Sequence, residues 1–164
     1  MTIQALFGLS IIVSFVASGI VAWLFLWPWL RGMPRDDALL RLLVPHTFRF
    51  IGLSFLVPGV VSPTLSPAFA APAAYGDLIA AVLAVAAIFS LRSRAIWAIA
   101  LIWLFNLWGT ADLINAYYQG TFGARIGPGS LGAAFFIPTV LVPPFLIIHG
   151  LIFRLLLRGA STQI

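Results

Sequence analysis

The stretch Ile3–Leu30 runs for 28 residues without one charged side chain. A helix needs about 20 predominantly apolar residues to cross the hydrocarbon of a bilayer. Inside lipid the backbone must satisfy its own hydrogen bonds, so a run of this kind is predicted to fold as a spanning helix. The rest of the chain agrees: of 164 residues, 62% are hydrophobic and only 8% are charged, where a soluble domain carries about 25% charged residues. All four acids are Asp, all nine strong bases are Arg, and Cys is absent. Those absences exclude a lysine Schiff base, a glutamate-ligated metal site, disulfides, thiolate clusters and a cysteine nucleophile. No basic residue precedes the first apolar run and no small-x-small cleavage site follows it, so it is expected to stay attached rather than to be removed as a signal peptide. Along it Ser10, Ser14, Ser18 and Ala22 recur every four residues, a small-residue stripe that predicts a helix-packing seam.

Four more spans follow. After Gly32 and Pro34, Asp36 and Asp37 are placed to cap a second helix over about residues 38–61, which carries Arg41, His46 and Arg49 and is kinked at Pro45 and Pro58. Pro63, Pro67 and Pro72 mark Ser62–Tyr75 as an external or partly re-entrant loop. A third, alanine-rich helix is expected over 74–91 and a fourth over 95–118, the latter ending in the interfacial pair Tyr117-Tyr118. The glycine-rich stretch 119–130 leads into a fifth span over 131–157, interrupted by Pro138, Pro143 and Pro144. With the N-terminus outside, five spans put Arg31, Arg35, Arg41, Arg92, Arg94, Arg154 and Arg158 on the cytosolic side and only Arg125 outside, as the positive-inside rule demands. The expected fold is therefore an all-α integral membrane protein of the bacterial inner (cytoplasmic) membrane. It is a single domain over residues 1–164, a bundle of five transmembrane helices with its C-terminus cytosolic and its fifth helix broken by prolines.

Ionisable side chains within a membrane are costly and therefore mark candidate sites. By depth they fall into two groups. The inner group holds His46, Arg49 and His149, with Arg154 and Arg158 nearer the cytosol. Two imidazoles at equal depth on different helices suit axial ligation of a b-type haem or a proton relay. The alternative has each histidine bonding a carbonyl freed by a nearby proline, while Arg49 snorkels to the headgroups. The outer group holds Asp77, Asn106, Asp112 and Asn115, with Arg125 in the next loop. Gly109, Asp112 and Asn115 share one helix face. Thr139 and Val140, whose carbonyls lose partners to Pro143 and Pro144, should lie at a similar level, the layout of a polar or cation-binding pocket beside a broken helix. The purely structural alternatives are an Asp112–Asn115 bond and an Asp77 that caps the third helix.

The segment FRFIGLSFLVPGVVSPTLSPAFAAPAAYGDLIAAVLAV, Phe48–Val85, resembles DoxX-type small bacterial membrane proteins, which implies a four-helix core and supplies no catalytic residue. Length, five spans and tryptophan content are similar to the tryptophan-rich sensory proteins that bind porphyrins and sterols. Their tryptophan-asparagine-proline loop has no counterpart here, where Leu26-Trp27-Pro28-Trp29 leads to Leu30 and Arg31. No nucleophile elbow, HExxH, phosphate-binding glycine loop or paired acidic motif is present. The expected function is binding or passage of a small apolar or amphipathic molecule through a pocket within the bundle, lined by Asp112, Asn115, Asn106, Thr139, Pro143, Pro144 and Asp77, with no metal or cofactor. Two alternatives stand beside it: a haem b subunit ligated by His46 and His149, and a ligand-free accessory protein. Expected partners are the lipid bilayer, the small ligand and a homo-oligomer or membrane complex, with no nucleic acid.

Overall fold

The computed structural model describes residues 1–123 and 126–158, so Arg125 lies outside the described residues. Five helices are long and apolar enough to cross a membrane: α1 (Ile3–Leu30), α2 (Arg35–Leu56), α3 (Pro67–Arg92), α4 (Ala98–Gly123) and α5 (Ile137–Leu157). In α1 a π-helical turn, Ala22–Leu26, precedes Trp27-Pro28. The wider turn makes room for a proline that can neither donate to the preceding turn nor tolerate its carbonyl. The same device recurs in α5. A π-helical turn, Ile137–Leu141, leads into an α-helix, Val142–Leu157, whose first turn holds Pro143 and Pro144, neither of which can donate back to the turn before it.

The second helix changes character halfway. Arg35–Leu43 is α-helical and Val44–Leu56 is a 3₁₀-helix of 13 residues, far longer than the usual three or four residues. A 3₁₀ rise of about 2.0 Å per residue stretches this segment to about 26 Å, where an α-helix would give about 20 Å. The span therefore finishes at Leu56, five residues before the expected Val61. Its start also differs from expectation. The N-cap is Pro34, and Asp36 and Asp37 lie in the first turn, where they favour the helix dipole without capping by a side-chain hydrogen bond.

The expected loop Ser62–Tyr75 is half helix. The third helix begins at Pro67, with Pro72 inside it and exposed, because a proline in the first turn leaves no bond unmade. The fourth helix starts at Ala98 after a tight turn in which Arg94 adopts φ +53°. Before the fifth helix, the separate 3₁₀ segment Pro128–Phe135 docks on the 57–61 stretch: Ala133 donates to the Val60 carbonyl at 2.9 Å and Ser62 to that of Ser130 at 3.0 Å. Gly132, at φ +53°, lies against the Val60 carbonyl, where a Cβ would collide.

Two apolar clusters fill the bundle. One joins Leu30, Leu39, Leu42, Leu43, Ala84, Ala87, Leu91, Ile102, Phe105 and Ile152 at the arginine-bearing end. The other joins Phe55, Leu65, Phe69, Ala73, Ala74, Leu113, Leu131, Ile137 and Val142 at the opposite end. The first helix lies outermost. Its Ser10, Ser14 and Ser18 are half-buried and Ala22 is buried, while Ile12, Val13, Val16 and Ile20 point outward. Small side chains thus face the bundle and large apolar ones are left exposed.

Candidate functional site

Between the two apolar clusters lies a polar layer built around one side chain. The 3₁₀ segment has three residues per turn, so His46, Arg49, Gly52 and Phe55 stack in a single column, and all four are buried. Phe55 enters the far apolar cluster, with its ring centroid 5.5 Å from that of Phe69. Arg49 is 0% exposed. Its Nε donates to Asp77 Oδ1 at 2.7 Å and its Nη2 to Asp112 Oδ2 at 2.6 Å. Its Nη1 donates to the Gly109 carbonyl and to His149 Nε2, each at 3.3 Å. The two carboxylates retain side-chain exposures of only 9% and 11%.

Three glycines make this packing possible, one on each of three helices. A Cβ on Gly52 would fall on the Asp77 carboxylate, and one on Gly76 on that of Asp112. A Cβ on Gly109 would come within 2.6 Å of His149 Cε1 and 2.7 Å of Arg49 Nη1. The hydrogen bonds also fix the orientation of His149. A guanidinium only donates, so Nε2 accepts and the ring proton sits on Nδ1, which donates to Asn106 Oδ1 at 2.7 Å. Asn106 Nδ2 in turn donates to the His149 carbonyl at 3.2 Å.

His46 is different. It is 0% exposed, and neither ring nitrogen has a hydrogen-bond partner among the described residues. Its ring lies 4.3 Å from that of His149 and 5.0 Å from those of Phe105 and Phe145. Neither histidine bonds a proline-freed carbonyl through its ring. The two imidazoles touch, leaving no slot for a porphyrin plane between them, and both nitrogens of His149 are engaged. These residues do not fit a bis-histidine haem.

The two depth groups expected from the sequence are one cluster. Arg49 does not snorkel: its buried guanidinium bonds Asp77 and Asp112 as well as His149 and so bridges the two groups. Asp77 caps nothing, since its helix starts at Pro67. Asp112 pairs with Arg49 and not with Asn115, which is exposed at a groove rim. Thr139 is buried, but its hydroxyl donates to the Phe135 carbonyl at 2.7 Å. Pro143 and Pro144 lie in the first α-helical turn of α5. None of these three hydrogen-bonds to the charged cluster. Sequence reasoning missed the Asp77–Arg49–Asp112 link. The available signal was the three-residue spacing of His46, Arg49, Gly52 and Phe55.

Asp112 separates two spaces. On the inner side a cavity of about 40 Å³ is lined by Asp77, Asp112, Phe55, Phe69, Tyr117 and Pro138, with room for about three waters. On the outer side a groove of about 400 Å³ lies between α3 and α4, lined by Pro72, Tyr75, Gly76, Ile79, Trp108, Ala111, Asp112 and Asn115. The indole of Trp108 donates to the Gly76 carbonyl at 3.2 Å, which holds its ring in the groove wall.

The chain belongs to the family described as domain of unknown function DUF8737, which it matches over residues 6–157. No curated protein and no solved structure matches it.

Replacing Arg49 by Met leaves two buried carboxylates facing each other without a cation. This should lower stability by about 3–5 kcal/mol, and the triple variant R49M/D77N/D112N should recover most of the loss. Thermal unfolding of the purified variants measures both; a single variant as stable as the parent would show that the guanidinium does not hold the layer. His46→Phe, by contrast, removes two unpaired nitrogens from an aromatic box and should leave the unfolding temperature unchanged or higher, whereas His149→Phe should lower it. The opposite ranking would mean that His46 has a polar partner.

Proposed function

We propose that this chain is a multi-pass inner-membrane protein that binds or passes a small amphipathic molecule with a cationic head, taken up from the groove between α3 and α4. The observation that carries the reading is the charge balance of the polar layer. Among the described residues two carboxylates share one guanidinium, so by ordinary charges the layer they form is one positive charge short, and Asp112 is the carboxylate that borders the groove. Desolvated anions seek a counter-charge. Tyr75 and Trp108 line the groove together with that carboxylate, and aromatic rings combined with a carboxylate suit an organic ammonium. Pro72 and Ile79 offer apolar surface for its tail.

In this reading Asn115 at the rim and Asp112 at the base contact the head, and Asp77 acts through Arg49. Asn106 orients His149 and does not touch the ligand. Onward passage requires an opening from Asp112 into the cavity behind it. The π-helical turn before Pro143 and Pro144 is the place where the fifth helix breaks or bends to allow this. The arginine-bearing end faces the cytosol and the N-terminus lies outside.

Binding is testable with decyltrimethylammonium as the probe, titrated into protein in lipid nanodiscs and followed by tryptophan fluorescence. Saturable binding is expected, weakened about tenfold or more by Asp112→Asn, in line with the loss of a charge-assisted contact. Equal binding by this variant, or equal binding of uncharged decyl maltoside, would remove the proposal. The absence of native cysteine makes the sidedness directly measurable. In a functional chain, a cysteine at Thr2 should react with an impermeant maleimide from outside and one at Arg158 only after lysis; labelling of both from one side would exclude five spans.

A further inference from the structure

At the arginine-bearing end the chain gathers guanidinium groups on tryptophan faces. The Arg154 guanidinium carbon sits 4.0 Å from the centre of the Trp27 ring system and that of Arg158 4.8 Å from the same ring. Arg41, from the second helix, lies 4.7 Å from the Trp29 ring. Arg154, in the last turn of α5, and Arg158, the residue that caps it, are close enough for like charges to repel, yet both converge on one indole. Among the described residues none of these arginines has a carboxylate partner, since the ion pairs there are those of Arg49. Arg35 is occupied differently: it donates to the carbonyls of Leu155 and Leu156 at 2.9 and 3.2 Å, fastening the start of α2 to the end of α5.

A guanidinium that stacks its face on an indole keeps its N–H edge free for an anion. We infer that Trp27, Arg154 and Arg158 form a binding site for the phosphate of an anionic phospholipid. Two forked donors around one indole match the oxygens of a phosphodiester. The location selects lipid over a free ion. The site stands where the helices end, the level of headgroups, and on α1 Trp23 is exposed one turn deeper, where acyl chains run. The bound lipid joins the first helix to the fifth and neutralises the repulsion between the two arginines.

The test uses the full chain reconstituted in mixed phosphatidylglycerol and phosphatidylcholine, with retained lipid counted by native mass spectrometry. Phosphatidylglycerol is expected to be kept preferentially. R154Q/R158Q should reduce its retention about tenfold, and W27L, which keeps every charge, should reduce it measurably. R92Q/R94Q removes the same charge from the same end away from Trp27 and should leave retention within about twofold. Equal loss in R92Q/R94Q would show diffuse surface attraction and overturn the site. So would undiminished retention in R154Q/R158Q, or displacement of the lipid by inorganic phosphate at equal concentration. If a glutamine variant is poorly assembled, R154K/R158K preserves charge without the planar fork. Weakened retention by that well-folded variant supports the site, and full retention contradicts it.

Discussion

Arg49 is a permanent charge with no exposed surface, in a molecule whose five long helices are apolar enough to cross a membrane. A lone guanidinium at that depth would be expelled or left with unmet hydrogen-bond donors. Here Nε, Nη1 and Nη2 each meet an acceptor: the Asp77 carboxylate, the Gly109 carbonyl together with His149, and the Asp112 carboxylate. Those acceptors come from α3, α4 and α5, while the charge itself comes from α2. The assembly of four helices at this level is therefore one electrostatic event. Removing any one member leaves a buried partner short of a hydrogen bond.

That constraint explains features that otherwise look unrelated. The close approach of helices at Gly52, Gly76 and Gly109 exists because each glycine faces a charged or imidazole side chain on a neighbour. The alanine-rich face of α3, with Ala73, Ala74, Ala80, Ala81, Ala84 and Ala87 buried, allows α2 and α4 to pack closely enough for the short arginine bonds. Asn106 holds the His149 ring in the tautomer that can accept from Arg49. The apolar clusters above and below isolate the layer from bulk solvent, leaving Asp112 and its groove as the approach from the side.

The five apolar runs were legible in the amino-acid sequence because hydrocarbon selects strongly on composition; α1 occupies the expected Ile3–Leu30. The prolines were harder to read. Pro67 and Pro72 suggested a loop, but a helix tolerates the first in its opening turn and the second on an exposed face. The candidate site was half legible. Asp77, Asp112, His46 and His149 stood out as ionisable groups in apolar runs, and Arg49 was rightly grouped with His149, but sorting by depth separated it from Asp77 and Asp112, which its guanidinium also reaches. A repeat of three in His46, Arg49, Gly52 and Phe55 was present in the letters. It was masked by the assumption that a membrane helix turns every 3.6 residues.

The unusual winding of Val44–Leu56 has a mechanical corollary. Rewound as an ordinary α-helix, those 13 residues would contract by about 6 Å and swing Phe55 about half a revolution away from His46. The guanidinium would then withdraw from its carboxylates. The winding of the segment and the reach of its guanidinium are thus a single geometric setting: thirteen residues have to be long enough to bring Arg49 to two carboxylates and in phase enough to bring Phe55 to the far cluster.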